Sequence, residues 1–392
     1  MNLSAPETRP LRPDLLIFGG GIAGLWSLLR ARQAGYSVLL AESRALGGVQ
    51  SIAAQGIIHG GTKYALGGRL SEAARAVGAM PGRWRACLEG RGELDLRAVR
   101  LNAAHQYLWS PPSVSARLAG FFGSRMMRGR VTPVAAAERP PPLDRADFRG
   151  GLYRLDEPVL DTASLLGELA RQAGEACFGY DPDELVVDGA RLCLGGRWIE
   201  PRRILLAAGA GNADLAGRLG LAGPPMQRRP LQMVMVRGPL PALYLHVLEA
   251  SANPRLTITS HALDGPERVW YLGGNLAEKG VKRSPAEQIA AARRELTALM
   301  PWLEQSGLRW ATLAIDRAEA ATPDGRRPDD VFLHRQGRVW VTWPTKLALA
   351  PRLADQVLEA LAEIPPSGDT VALSTGSAPP PARLPWEHCE WS

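Results

Sequence analysis

Cysteine is scarce and scattered. The four cysteines, Cys87, Cys177, Cys193 and Cys389, form no CxxC pair, which argues against a zinc site or a disulfide framework and for a reducing compartment. Long apolar runs are also missing: the longest, Leu15 to Leu29, is broken by four glycines and falls short of the ~20 residues that cross a bilayer. The first residues, Met1 to Arg9, carry no apolar export segment, so a cytoplasmic protein is expected. No block of five or more basic residues occurs despite a net charge of +7, and no nucleic-acid partner is expected. That surplus suits an anionic cofactor or substrate, and is compatible with peripheral contact at the inner face of a membrane. An arginine-rich proteome accounts for it equally well. No internal repeat is visible, and no metal is expected.

What is present is core material. Of 392 residues 46% are apolar and 22% charged, which excludes disorder of the whole chain and allows two or three domains at about 100–200 residues each. Gly (42) and Pro (32) are plentiful but not periodic as collagen requires; they imply many turns.

The first forty residues carry the clearest pattern. Asp14-Leu-Leu-Ile-Phe18 predicts a buried parallel strand. Gly19-Gly-Gly21-Ile-Ala-Gly24 follows as G-x-G-x-x-G, then a helix from Leu25 to Ala34 closed by Gly35. A second strand, Tyr36–Ala41, ends at Glu42, 18 residues past the last glycine. In such a unit Gly19 permits the tight turn, Gly21 lets the backbone approach a pyrophosphate, and Gly24 lets helix and strand pack closely. The positive helix end holds the phosphates, and Glu42 can accept hydrogen bonds from a ribose diol. Strand, glycine turn, helix and acidic residue together predict dinucleotide binding.

Further along, alternating strands and helices give way to an irregular small-residue segment, Ala45 to Tyr64, containing Gly56-Ile-Ile-His59-Gly-Gly-Thr-Lys63-Tyr64. Arg203-Ile-Leu-Leu-Ala-Ala-Gly209-Ala-Gly211 reads as a strand running into a glycine turn. Val339-Trp-Val-Thr-Trp343 is another strand, followed by Pro344-Thr-Lys346 and a helix from about Pro351.

This ordered set resembles the flavoprotein superfamily of D-amino-acid oxidase, with glycine and sarcosine oxidases, glycerol-3-phosphate dehydrogenases and L-2-hydroxyglutarate oxidases. The resemblance runs from about Asp14 to Ile364. It implies an FAD cofactor whose ADP part meets the first motif, with Gln50, Ser51 and Gly209 as further contacts. It also implies that Trp343–Asp355 is the segment beside the flavin pyrimidine ring. Trp343-Pro344 replaces the family's Gly-Gly there.

The implied architecture is α/β: a discontinuous Rossmann-like FAD-binding domain (12–80, 155–224 and 313–364) interleaved with an α+β substrate domain (81–154 and 225–312), built on an antiparallel sheet. Helices are expected around 69–135. Strands are expected at Leu231–Val236, Arg255–Thr259 and Arg268–Leu272. Ser284-Pro-Ala-Glu287 is a capping box opening a helix. Residues 365–392 form a Pro-rich tail ending in Trp386-Glu-His-Cys-Glu-Trp391, which surface packing or docking on the body explains.

Candidate chemistry lies at few positions. Lys346 and the helix start after it would stabilise negative charge on a reduced ring; a surface lysine is the alternative. His59 is a candidate base, hydrogen-bond donor or covalent flavin anchor, or an ordinary core histidine. Lys63 and Tyr64 could bind an anion. By resemblance to the family's R-P-x-x-x-D-G-x-P element, Arg317 would pair a substrate carboxylate, although Ala318 replaces the proline and Asp324-Gly325 lies two residues further on; a structural ion pair is the alternative. His246 and His261 read as sheet or loop residues. The expected function is FAD-dependent transfer of a hydride from a C–N or C–O bond of a small anionic amino or hydroxy acid to flavin N5, with oxygen, a quinone or an electron carrier as acceptor. The alternatives are a flavin monooxygenase, for which no G-D-A-x-H-like element is present, and a non-catalytic FAD-binding assembly protein.

Overall fold

The computed structural model describes residues 10–61, 72–112, 131–249, 253–344, 346–368 and 379–392. Two sheets organise them. The six-stranded sheet has the order Phe332–Gln336, Val339–Trp343, Arg203–Leu206, Leu15–Phe18, Val38–Glu42, Cys177–Gly179. Its strands are parallel except for the antiparallel first pair.

Alternation along these strands divides the core. Leu15, Ile17, Val38, Leu40, Leu205 and Trp340 pack against helices Ile22–Gln33, Thr162–Ala173 and Ala350–Leu361. Leu16, Phe18, Leu39, Ile204 and Val341 face the other way, onto a small three-stranded sheet and helix Asn212–Arg218. Both faces are covered, which is why the strands read as unbroken apolar runs. The expected Rossmann-like unit is therefore present.

The eight-stranded sheet runs Arg309–Ala320, Met226–Gly238, Arg268–Gly273, Leu256–Ala262, Leu245–Val247, Gln106–Ser110, Gly151–Leu155, Val131–Pro133. Neighbouring strands are antiparallel except Leu245–Val247 and Gln106–Ser110, which are parallel. Val234, Val236, Trp270 and Leu272 lie under helix Pro285–Leu299, which opens on the expected Ser284–Glu287 capping box. Met233, Met235, Tyr271 and Ile315 face the opposite side, where Met233 and Ile315 line the site.

Three expectations need correction. The stretch expected to be helical around 69–135 is described at 72–112 and 131–135, where helix Glu72–Leu88 is joined by strands Leu101–Ala103, Gln106–Ser110 and Val131–Pro133. That helix buries Val77, Met80, Trp84 and Cys87 with the six-stranded sheet's core, across the expected boundary at residue 80. Strand Arg309–Ala320 pairs along its whole length with Met226–Gly238, so residues 313–320 belong to the eight-stranded sheet rather than to the nucleotide-binding layer. The tail docks: Trp386 is buried against His261 and Tyr271.

Candidate functional site

The glycine turn is built by close approach. A Cβ on Gly24 would fall 1.9 Å from the Gly19 carbonyl oxygen, and one on Gly19, which has φ of +107°, would fall 2.6 Å from that of Ala207. Gly21 differs, since its φ of −74° suits any residue; there the constraint is clearance, with Ser51 Oγ 3.1 Å from a Cβ placed on it. Helix Ile22–Gln33 has no side-chain cap and no acidic residue in its first turn, which leaves its positive end to an anion. Ser51 Oγ accepts from the Ile22 N–H at 3.0 Å, and the Glu42 carboxylate accepts from the Gly20 N–H at 2.6 Å and the Arg44 N–H at 2.9 Å.

From this turn a cavity of about 640 Å³ runs between the two sheets. At one end lie Glu42, Arg44 and Tyr180; burial raises the Tyr180 phenol to about 12, so it stays protonated. Along the middle are Gln50, Ser51, Gly209, Trp343 and Lys346. Gln50 Oε1 accepts from the Ala318 N–H at 3.1 Å, tying the segment to the eight-stranded sheet. The Trp343 indole donates to the Gly209 carbonyl at 3.0 Å, and Asn212 bridges the Ala208 N–H and the Thr342 carbonyl. The Trp-Pro that departs from the family pattern thus braces the second glycine turn. Lys346 is half-buried at the start of the turn Leu347–Leu349, which leads into helix Ala350–Leu361.

The far wall is charged. Arg317 and Arg229 face each other across paired strands. Glu278 stands 3.4 Å from Arg229 and 3.6 Å from Arg317, and Glu319 lies 3.4 Å from Arg229. Arg327 lines the same cavity. Burial first, then the guanidiniums of Arg327 and Arg229, lower Arg317 to about 10, so it remains cationic at neutral pH. Three arginines against two carboxylates favour an added anion.

His59 also lines the cavity, its ring stacked on that of His246 at 5.5 Å and its Nδ1 3.6 Å from Glu157. The Glu157 carboxylate is buried and accepts from the Gly60 N–H at 2.6 Å and from the Gln106 amide. His246 Nδ1 lies 2.8 Å from Thr257 Oγ1.

The cavity therefore gathers Gly19, Gly21, Glu42, Gln50, Ser51, His59, Gly209, Arg317 and Lys346, with Gly24 behind the turn. Lys63 and Tyr64 fall outside the described residues. His246, read from sequence as a sheet or loop residue, is on strand Leu245–Val247 and lines the cavity as well. His261 does not line it; burial lowers it to about 4, against Trp386. Sequence reasoning missed Glu157, Glu278 and Arg327, which carry no local motif.

Among the described residues no helix is long and apolar enough to cross a membrane, and no group of three or more His, Cys, Asp or Glu is placed to hold a metal. Many arginines meet carboxylates, as Arg83 does Glu93 and Asp355, and Arg352 does Asp330. The expected contact with acidic lipid finds no support.

Comparison with known proteins agrees with this geometry. Residues 14–352 match the DAO family model, described as FAD dependent oxidoreductase. A probable FAD-dependent oxidoreductase of Pseudomonas aeruginosa is 50% identical over 384 residues, covering 96% of this chain and 98% of that protein. The crystal structure of an FAD-dependent oxidoreductase from that organism superposes with a TM-score of 0.84 at 46% identity, over 97% of this chain and 99% of the other. Glycine oxidase from Geobacillus kaustophilus shares the fold at 19% identity, with a TM-score of 0.66 over 93% and 100% of the two chains. So does an FAD-bound α-glycerophosphate oxidase from Mycoplasma pneumoniae, at 13% identity, 0.65, and 95% and 99%. The chain belongs to the DAO family of FAD-dependent oxidoreductases.

Proposed function

We propose that this oxidoreductase oxidises a C–N or C–O bond of a small anionic amino or hydroxy acid. The observation that carries the proposal is one continuous cavity joining the glycine turn to Arg317, Arg327 and the His59–His246 pair. FAD, when bound, supplies the acceptor for the two electrons and the hydrogen lost from that bond, to be passed on to oxygen, a quinone or an electron carrier.

The chain's own residues then divide the work. Gly19, Gly21 and Gly24 would let backbone and helix end approach the pyrophosphate, and the Glu42 carboxylate would accept from the ribose diol. Gln50, Ser51 and Gly209 line the path of the cofactor, and Lys346 favours negative charge at its ring. Arg317, with Arg327 beside it, holds the substrate carboxylate; Glu278 keeps the guanidinium in place without neutralising the group. His59 accepts the proton released from the substrate hydroxyl or amine, its ring fixed by Glu157 and His246.

Anaerobic mixing of the holoprotein with a panel of amino and hydroxy acids tests this reading. Bleaching of the flavin by members of the panel without NAD(P)H is expected; a flavin that dithionite reduces but no acid does would refute it.

A further inference from the structure

Residues 379–392 stand outside the proposed chemistry, yet they bond to Leu46 and pack on Tyr271, which stand directly behind the lining of the cavity. A proline-rich stretch keeps its backbone polar groups unbonded within itself, ready to pair with a neighbouring segment. Here the Pro380 carbonyl accepts from the Leu46 N–H at 3.0 Å, and the Ala382 N–H donates to the Leu46 carbonyl at 2.9 Å, making a parallel bridge.

Leu46 is buried and leans on the glycine turn. Its Cδ2 lies 2.4 Å from where a Cβ on Gly20 would stand. The next N–H, that of Gly47, donates to the Gly20 carbonyl at 2.8 Å. Gln50 and Ser51 follow a few residues later.

The same segment is braced a second time. Trp386 packs on His261 at 4.3 Å and edge-on to Tyr271 at 5.9 Å. The Tyr271 hydroxyl in turn donates to the Ala53 carbonyl at 3.1 Å, and its own carbonyl accepts from Gln55 at 2.9 Å. Between these anchors Leu384 contacts the apolar clusters of both sheets. Beyond them Ser392 exchanges two backbone hydrogen bonds with Trp310, at 2.9 and 3.0 Å.

We propose that residues 379–392 form a strap belonging to the cofactor site, holding residues 46–55 against the glycine turn so that FAD meets a preformed wall. Ala382 and Trp386 are its positioning residues. A preformed segment spares the ordering cost that binding would otherwise carry. Losing the strap therefore weakens FAD binding more than it weakens the fold.

The test compares the full chain with a variant ending at residue 378, and with Ala382→Pro, Trp386→Ala and the exposed control Arg383→Ala. FAD is titrated into each apoprotein and its fluorescence followed, the visible band shape of the holoprotein is recorded, and the apoprotein melting temperature monitors folding. Ala382→Pro removes one N–H donor and leaves the Leu46 carbonyl unsatisfied, so about tenfold weaker FAD binding with an altered band shape is expected. Trp386→Ala and the truncation should match or exceed that loss, while Arg383→Ala retains full affinity. If the truncated chain does not fold, the two point variants decide. Unchanged FAD affinity in Ala382→Pro and Trp386→Ala, whatever their melting temperatures, would overturn the proposal and reduce the strap to surface packing.

Discussion

At the level of single residues, the glycine turn separates two demands that one motif conceals. Gly19 and Gly24 are required by packing, because a Cβ on either would strike a carbonyl. Gly21 has an ordinary φ, and the proposed function assigns it to close approach of the cofactor. Gly21→Val should therefore leave a folded protein that purifies colourless, as absorbance near 450 nm against 280 nm will report; full flavin content would contradict the assignment. Arg317→Gln should weaken binding of a non-reducing carboxylate such as propionate, read from flavin absorbance, by about ten- to a hundredfold, the worth of a charged hydrogen bond at about 1.5–3 kcal/mol. Undiminished affinity would make the arginine structural. The glycines and Glu42 were legible because their spacing encodes contacts local in the chain. Glu157, His246 and Arg327 were not, because each acquires its meaning only where distant segments meet: His246 stacks on His59 across a sheet edge that no local pattern specifies.

Among the elements, legibility followed length and periodicity. The helix expected from about Pro351 is Ala350–Leu361, with Leu353, Val357 and Leu361 buried, and the strands expected at 14–18 and from Arg203 are Leu15–Phe18 and Arg203–Leu206. The strands at 101–103, 106–110 and 131–133 were not foreseen because they have three to five residues and pair with distant partners, Gln106–Ser110 with Leu245–Val247 among them. Two predictions belong here. Lys346 lies where strand Val339–Trp343 hands over to its helix, and Lys346→Met should lower the flavin midpoint potential by about 30 mV for each ~1.4 kcal/mol of lost anion stabilisation. An unchanged potential would place the lysine away from the ring.

Asp14, fully buried before the first strand, accepts hydrogen bonds from Ser37, Ser367 and Arg202. Burial pushes its carboxyl up, but the backbone bonds from Ser367 and Ser37 and the Arg202 guanidinium outweigh burial and hold it below the usual value. A carboxyl lowered by folding stabilises the native state above its unfolded pKa, and that contribution fades as pH falls through the folded one. Asp14→Asn should cost about 1–3 kcal/mol in urea unfolding at neutral pH, and the gap to wild type should narrow as acid protonates the folded carboxyl. A gap independent of pH would contradict the role given to the carboxylate.

Across the whole molecule, the site exists because one chain crosses repeatedly between two sheets. The six-stranded sheet presents the glycine turns, the eight-stranded sheet presents Arg317 and His246, and residues 46–57 lie between them. The sequence motifs identified the first layer and the cofactor; the second layer emerges from strand pairing, which sets Arg229 opposite Arg317. A cavity so arranged should discriminate by substrate charge. Anaerobic flavin bleaching by matched pairs, each an amino or hydroxy acid and its uncharged amide, reads that discrimination directly. The acids should reduce the flavin at least tenfold faster than their amides, and Arg317→Gln should erase the preference. Equal rates for acid and amide in the unaltered protein would contradict an anion-directed oxidoreductase.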